Sequence, residues 1–458
     1  MDPSGTIRAL AERCCAGIPA VTADLQIWAD GQLHDLLTGV WETRHSLFAR
    51  FALYGAVLAS LGIVLAPLQR HLREWGVVIL SLVALYLLGS GAMTISAVGF
   101  SVALWLAVER WPGRTGTLVC WTLIVALAAY PWLLPAELLV GNTSQMREFW
   151  AFASNVWLLR CIAYLVDRRS GKLARRSLRE FLLATLFFPT FVNGPIETTE
   201  QMRDGRNHGP AVANWSEFRS YLRTLARSSA RFLLGILKVL FATLYLGIDN
   251  DTIFATSGSA FSHPRLWLWP VELYITFYIT FSGWTDISIA LGRILGWDLI
   301  ENFDRPWQSR SVAEFWRRWH ISFGIWLRNY IYIPLGGNRR HPNLNVQATF
   351  LASGLWHVWG ALKALGVTGY PPEAWIGFIL WGFLNGSAVA AARFWNNTSA
   401  LDSLRERLRR GLPSIVRHRA AQAMAFGFVA LAWIPFFLPP WIGIENCWNI
   451  LRRMVFLG

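Results

Sequence analysis

Stretches of mostly apolar residues, each near the length that crosses a lipid bilayer, follow one another from Leu47 to Ile442. About 20 such residues traverse roughly 30 Å of hydrocarbon, where a helical backbone satisfies its own hydrogen bonds. The runs are Leu47–Leu68, Trp75–Met93, Ile95–Val108, Thr117–Leu134, Phe149–Val166, Phe232–Ile248, Leu266–Phe281 continuing toward Leu295, Val346–Leu365, Trp375–Arg393 and Ala423–Ile442. Of the 458 residues, 54% are hydrophobic and 15% charged. Soluble domains carry about a quarter charged residues, so too little polar surface remains here for separate globules. The sequence predicts an all-α, polytopic membrane protein with about ten to eleven transmembrane helices, accompanied by re-entrant and interfacial ones.

The excess of basic over acidic residues, +14 overall, does not point to nucleic acid, because the arginines fall in short clusters between apolar runs, as cytoplasmic loops do. Residues 1–45 carry Asp2, Glu12, Asp24, Asp30, Asp35 and Glu42. That composition does not fit a cleaved signal peptide and is read as an N-terminal interfacial segment. Residues 46–458 form the integral membrane domain, with no soluble catalytic domain expected. Cys14, Cys15, Cys120, Cys161 and Cys447 show no metal-ligand spacing and are odd in number, which argues for packing roles over a disulfide framework.

One apolar run does not read as a crossing. Phe181–Ile196 is short, holds Pro189 and Pro195, and lies between two basic loops, one with Arg168, Arg169, Lys172, Arg175, Arg176 and Arg179, the other with Arg203, Arg206, Arg219, Arg223 and Arg227. Positive charge on both flanks places both on the cytoplasmic side. A re-entrant hairpin at Phe187–Pro195 satisfies this, since broken backbone at membrane depth survives when buried in protein or facing a wet cavity. A loosely packed short helix is the alternative. A third basic stretch, Arg405 to Arg419, sets topology or recognises an anionic partner.

Between Glu301 and Arg340 the text mixes charge with Trp, Tyr and Ile. Ser311 and Glu314 form a capping-box pattern, so a helix is expected from Val312. From there Trp316, Trp319, His320, Phe323, Leu327 and Tyr330 follow the spacing of one helical face, with Pro334 and Gly336-Gly337 ending it in a turn. Such a helix suits an interface or a funnel wall.

Most histidines fall in polar or terminal stretches, but His320 lies on this aromatic face and His357 lies in the apolar run LASGLWHVWGALKAL. A polar imidazole in apolar surroundings needs a partner, and inside a membrane it is a functional candidate, though a hydrogen-bonded structural histidine fits either position. No His-Glu-x-x-His, Gly-x-Ser-x-Gly or phosphate-loop pattern occurs, so metal, serine-hydrolase and nucleotide chemistries lack support. A neutral, desolvated imidazole accepts a proton from a hydroxyl, which suits acyl transfer to an alcohol.

The segment WRRWHISFGIWLRNYIYIPLGGNR at Trp316–Arg339, preceded by FSGWTDISIALGRILGWDLIENF at Phe281–Phe303 and FFPTFVNGPIE at Phe187–Glu197, resembles the membrane-bound O-acyltransferases, and within them the bacterial alginate O-acetylation and teichoic acid D-alanyl transfer branch. The likeness is strongest over residues 181–386. It implies a helical shell around a central funnel, in a multi-pass protein of the bacterial cytoplasmic membrane. There a cytoplasmic acyl donor such as acetyl-CoA, a co-substrate with no bound cofactor or metal, meets an extracytoplasmic polysaccharide or cell-wall acceptor. An SGNH-type extracytoplasmic acyltransferase is the implied partner, beside membrane lipid. By the same resemblance His357 is the general base and His320 orients or polarises the thioester or acceptor.

Trp316, Trp319, Arg328, Tyr330 and Trp356 are expected as pocket lining. Asp286, seven residues before Arg293, is pocket wall or half of a buried pair joining helices, and Asn193 and Glu197 are candidates on the hairpin. The chain departs from the branch pattern at Asn329, at Val358-Trp359, at Asn385-Gly386 and at Phe436-Phe437. D-alanyl transfer or acylation of a lipid or metabolite keeps the fold with another substrate. A proton-coupled transporter using the histidines and Asp286, or a catalytically inactive scaffold, belongs to a different class.

Overall fold

The computed structural model describes residues 70–88, 91–133, 144–191, 193–204, 215–246, 263–365, 373–411, 413–437, 448–450 and 452–454, with scattered positions between 55 and 64. The N-terminal segment 1–45, most of the run Leu47–Leu68, and Cys14, Cys15, Cys447, His34, His45 and His208 lie outside the described residues.

The described residues are helical, apart from loops and one antiparallel bridge between Phe303 and Trp319. The long helices are α1 (Arg70–Leu88), α2 (Gly91–Arg110), α3 (Arg114–Leu133) and α4 (Ser144–Arg169), followed by short α5 (Leu178–Leu186) and α6 (Thr199–Asp204). Then come α7 (Trp215–Tyr245), α8 (His263–Leu295), short α9 (Val312–Arg318) and α10 (Ile321–Leu327), α11 (Pro342–Leu365) and α12 (Glu373–Asn397). The chain closes with α13 (Asp402–Gly411), α14 (Ser414–Ala432) and α15 (Ile434–Phe437). Among the described residues His71–Leu88, Trp375–Asn397 and Ser414–Phe437 are long and apolar enough to cross a membrane. This fits an all-α membrane protein.

The short helices between the long ones carry clear local signals. Ser177 caps α5 by accepting the Glu180 N–H, and the Glu180 carboxylate returns the bond to the Ser177 N–H, so two donors at the helix start are satisfied. Downstream the chain makes a tight turn at Phe188–Thr190 and reverses before α6. Phe181 to Leu186, Phe187, Phe188 and Phe191 are all buried, so this reversal is packed inside protein. A Cβ on Gly194 would stand 2.4 Å from the Thr190 Cα, a backbone contact that cannot yield, so only glycine closes the reversal.

Long helices pair through close backbone approach. A Cβ on Gly354 of α11 would meet the Phe378 carbonyl of α12 at 2.6 Å, and one on Gly382 would meet the Phe350 carbonyl at 2.6 Å. Small residues at a crossing let two helices approach without a side chain between them. Between α7 and α8, Asp286 is held by Lys238 Nζ at 2.6 Å and Arg231 Nε at 2.8 Å. Arg293 turns instead to Asp298 and Glu301.

The expected amphipathic helix begins at Val312, as the Ser311 cap implies, but does not run through to Tyr330. It ends at Arg318 and restarts at Ile321, with His320 between them in the left-handed region at φ 46°. Long-range bonds supply the reason. The Ile321 N–H donates to the Asn302 carbonyl at 3.0 Å, the Ser322 N–H to the Asn302 side-chain oxygen at 3.1 Å, and the Asp304 N–H to the Arg318 carbonyl at 2.9 Å. The preceding loop thus replaces the i to i−4 bonds that a continuous helix would make. After α10 a wider turn at Arg328–Tyr332 leads into the Gly336-Gly337 loop, where both glycines have positive φ.

Candidate active site

The break between α9 and α10 and the tight α11/α12 crossing bring His320 and His357 onto one ring. The Phe323 centroid lies 5.2 Å from that of His320 and 6.0 Å from that of His357. His320 also packs edge-on against Phe281 at 4.9 Å, and His357 meets Phe378, Trp381 and Phe436 at 6.2, 5.7 and 5.0 Å. His320 and His357 are half-buried residues.

Each ring is tied at Nδ1. His357 Nδ1 stands 2.7 Å from the Ser353 carbonyl one turn earlier on α11. A carbonyl oxygen only accepts, so Nδ1 carries the proton, and in the neutral ring the lone pair lies on Nε2. A ring held this way is oriented to take a proton at Nε2. His320 Nδ1 lies 3.3 Å from Asn302 Oδ1, which also accepts the Ser322 N–H and, at 2.8 Å, the Ser322 hydroxyl. Asn302 is fully buried. Sequence reasoning did not single it out, although it falls in the Phe281–Phe303 segment and in the polar stretch just before the capped helix.

The remaining candidates divide. Trp316 sits beside the site, its indole N–H donating to Asn385 Oδ1 at 3.0 Å while Asn385 Nδ2 donates to the Trp381 carbonyl at 2.9 Å. Asn385 is therefore a fully buried amide, bonded through both its oxygen and its nitrogen. Trp319 is 3% exposed and stacked among Tyr274, Phe277, Phe315 and Trp433, in the aromatic core. Trp356 packs against Trp359 at 4.7 Å and against the cluster of Val156, Leu159, Ile196, Phe323 and Trp326. Tyr330 turns away to donate to Asp167 Oδ2 at 2.6 Å. Arg328 is exposed, Asn193 is half-buried on the reversal, and Asp286 is bound in its ion pairs.

The reversal reaches the same region through Ile196, which belongs to the buried apolar cluster that includes Phe323 and Trp326. Arg160 of α4 fixes it, Nη2 donating to Thr190 Oγ1 at 2.5 Å and to the Pro195 carbonyl at 2.9 Å. The Glu197 carboxylate accepts the Ile300 N–H at 2.5 Å, linking the reversal to the loop that carries Asn302. No group of three or more His, Cys, Asp or Glu side chains among the described residues is placed to hold a metal ion.

Residues 118–370 match the model of the membrane-bound O-acyltransferase family. The chain is similar to a probable alginate O-acetylase of Pseudomonas putida, 34% identical over 45% of this chain and 42% of the relative. It is also similar to a peptidoglycan O-acetyltransferase of Helicobacter pylori, 29% identical over 61% of this chain and 47% of the relative. A teichoic acid D-alanyltransferase of Streptococcus thermophilus is 24% identical over 66% of this chain and 72% of the relative. The chain thus spans less than half the length of the first two of these curated relatives.

Proposed function

Since the chain belongs to the membrane-bound O-acyltransferase family, we propose that it moves an acetyl or other short acyl group from a cytoplasmic thioester, such as acetyl-CoA, toward an extracytoplasmic polysaccharide or cell-wall polymer. The observation that carries this reading is the placement of His320 and His357 on Phe323, with the His357 Nδ1 proton committed to Ser353 and Nε2 left as an acceptor.

In the proposed step, Nε2 of His357 takes the proton as the acceptor hydroxyl attacks the thioester carbonyl. The thiolate leaves and is protonated, an ester forms, and one thioester bond is broken. His320 orients or polarises the reacting groups. A general base of this kind contributes about 10²–10⁴-fold to a rate. The aromatic side chains around both rings lower the local dielectric, which strengthens the electrostatic interactions made there.

This reading places the chain as a multi-pass protein of the bacterial cytoplasmic membrane, with about ten to eleven spans by run length and an SGNH-type extracytoplasmic acyltransferase as the downstream partner. The similarity to a teichoic acid D-alanyltransferase supports a second acyl group, D-alanyl, on the same scaffold.

The test is consumption of labelled acetyl-CoA by purified wild type, His357→Ala and His320→Ala, with a hydroxylated acceptor present. Turnover abolished in His357→Ala supports the reading. Wild-type turnover in that variant removes the base assignment, and solute flux without acyl transfer replaces the enzyme with a transporter.

A further inference from the structure

His320 is the one site residue with strained backbone, and Asn302 meets it and the residues just after it through both its side chain and its carbonyl. The Asn302 side-chain oxygen faces three donors: the Ser322 N–H at 3.1 Å, the Ser322 hydroxyl at 2.8 Å and His320 Nδ1 at 3.3 Å. A backbone N–H can only donate, so the atom facing Ser322 is the oxygen and the amide cannot be turned over. The oxygen can only accept, so His320 Nδ1 carries its proton and Nε2 its lone pair. Asn302 Nδ2 is buried and has no partner among the described residues. The amide is therefore oriented for its oxygen alone. The Asn302 carbonyl also takes the Ile321 N–H, so this one residue both starts α10 and holds His320 at φ 46°.

We propose that Asn302 is a positioning residue that locks His320 in the Nδ1–H form, so that Nε2 is a hydrogen-bond acceptor and the ring does not polarise the thioester carbonyl. The proposal rests on the acyltransferase reading for its catalytic meaning, but the tautomer stands independently of it. In this arrangement both histidines present acceptors. His357 receives the single proton of the reacting hydroxyl, and His320 aligns the acceptor by accepting a hydrogen bond from a neighbouring hydroxyl of the same polymer. The acyl carbonyl must then find its donor elsewhere than on the two imidazoles.

The experiment uses the full-length protein labelled with ¹⁵N-histidine in detergent, with His320→Ala identifying the His320 signals. The imidazole nitrogen shifts distinguish a protonated Nδ1 from a protonated Nε2. Wild type is expected to show His320 with Nδ1–H, and Asn302→Leu to move it toward the Nε2–H form that a free histidine side chain prefers. A wild-type Nε2–H signal for His320 overturns the proposal whatever the activity.

Turnover of labelled acetyl-CoA supplies the second readout. Asn302→Leu is expected to lower kcat by at least about tenfold with a smaller change in KM. Asn302→Asp keeps an oxygen acceptor and adds a charge that favours imidazolium, so it should restore the Nδ1–H form and shift the acidic limb of the pH–rate profile upward by about one unit. The titratable side chain sharing Phe323 with His320 is His357, so the profile is repeated in His357→Gln to separate the two. A changed tautomer with unchanged turnover removes His320 from the acyltransferase reading and leaves the positioning by Asn302 intact. Unchanged tautomer in Asn302→Leu, with its melting temperature retained, overturns the positioning itself.

Discussion

His357 Nδ1 lies 2.7 Å from the carbonyl oxygen of Ser353, within its own helix. The bond uses a carbonyl that the α-helix ladder also occupies, and a carbonyl oxygen has a second lone pair to give. It fixes the ring's tautomer without any carboxylate, which would be costly to bury in this apolar helix. His357→Gln, which keeps a polar side chain of similar length but has no basic nitrogen, is expected to lower kcat by about 10²–10⁴-fold. Because that interaction develops in the transition state, KM should change much less. Steady-state kinetics with labelled acetyl-CoA check this, and a loss confined to KM would make His357 a binding group.

Gly354 stands one turn before His357, where α11 meets the Phe378 carbonyl of α12. Gly354→Ala puts a methyl group 2.6 Å from that oxygen, and overpacking of this kind costs about 1–3 kcal/mol. Separation of the helices also moves His357 from Phe378 and Phe436, which come from α12 and α15. Both a lower melting temperature and a lower turnover are expected. By contrast, Gly427→Ala, where an added Cβ meets nothing within 4 Å, should leave both near wild type.

The apolar runs carried the fold because a membrane helix satisfies its backbone locally and is written in consecutive residues. The two histidines were legible for the same reason, as polar rings where apolar side chains were expected. What the sequence hid was long-range. The spacing from Trp316 to Tyr330 suits one helix, and the break at His320 comes from Asn302 and Asp304, whose backbone and side chain reach across from another loop. Asp286 likewise has Arg293 seven residues away, yet its partners Arg231 and Lys238 sit on the neighbouring helix α7. Helical phase cannot reveal which helix lies alongside.

Glu109, at the end of α2, accepts from Arg168 Nε at 2.7 Å, Arg168 Nη2 at 2.9 Å and the Tyr164 hydroxyl at 2.7 Å. Burial alone would raise its pKa, but the bonds from Arg168 and Tyr164 outweigh that and hold the carboxyl below its ordinary 4.5. A carboxylate with a lowered folded value contributes stability above the unfolded value and loses it as pH falls through the folded one. The melting temperature should therefore hold steady from neutral pH to about 5 and drop below 4.5. Glu109→Gln leaves Arg168 without its bidentate partner, so about 3 kcal/mol of stability should be lost at neutral pH. Its acid-induced fall should be shallower than wild type, as thermal unfolding across pH would read.

The reversal at Phe187–Pro195 makes a prediction about topology as well as stability. Its backbone is satisfied from inside the protein: Arg160 bonds Thr190 and the Pro195 carbonyl, and the Phe188 N–H donates to Ser81 Oγ at 3.2 Å. Irregular backbone held in this way can enter a bilayer and return without crossing. Cysteines introduced at Arg176 and Arg206, in a chain stripped of its own five cysteines, are then expected to react with an impermeant maleimide from the same face of sealed vesicles. Labelling from opposite faces would make the segment a span and remove the hairpin. Gly194→Ala drives a methyl group into the Thr190 backbone, so it should cost about 1–3 kcal/mol and disturb the apolar cluster that holds Ile196 and Phe323. Its turnover should fall even though the substitution touches neither histidine, because Ile196 of the reversal shares its apolar cluster with Phe323, the ring on which both imidazoles pack.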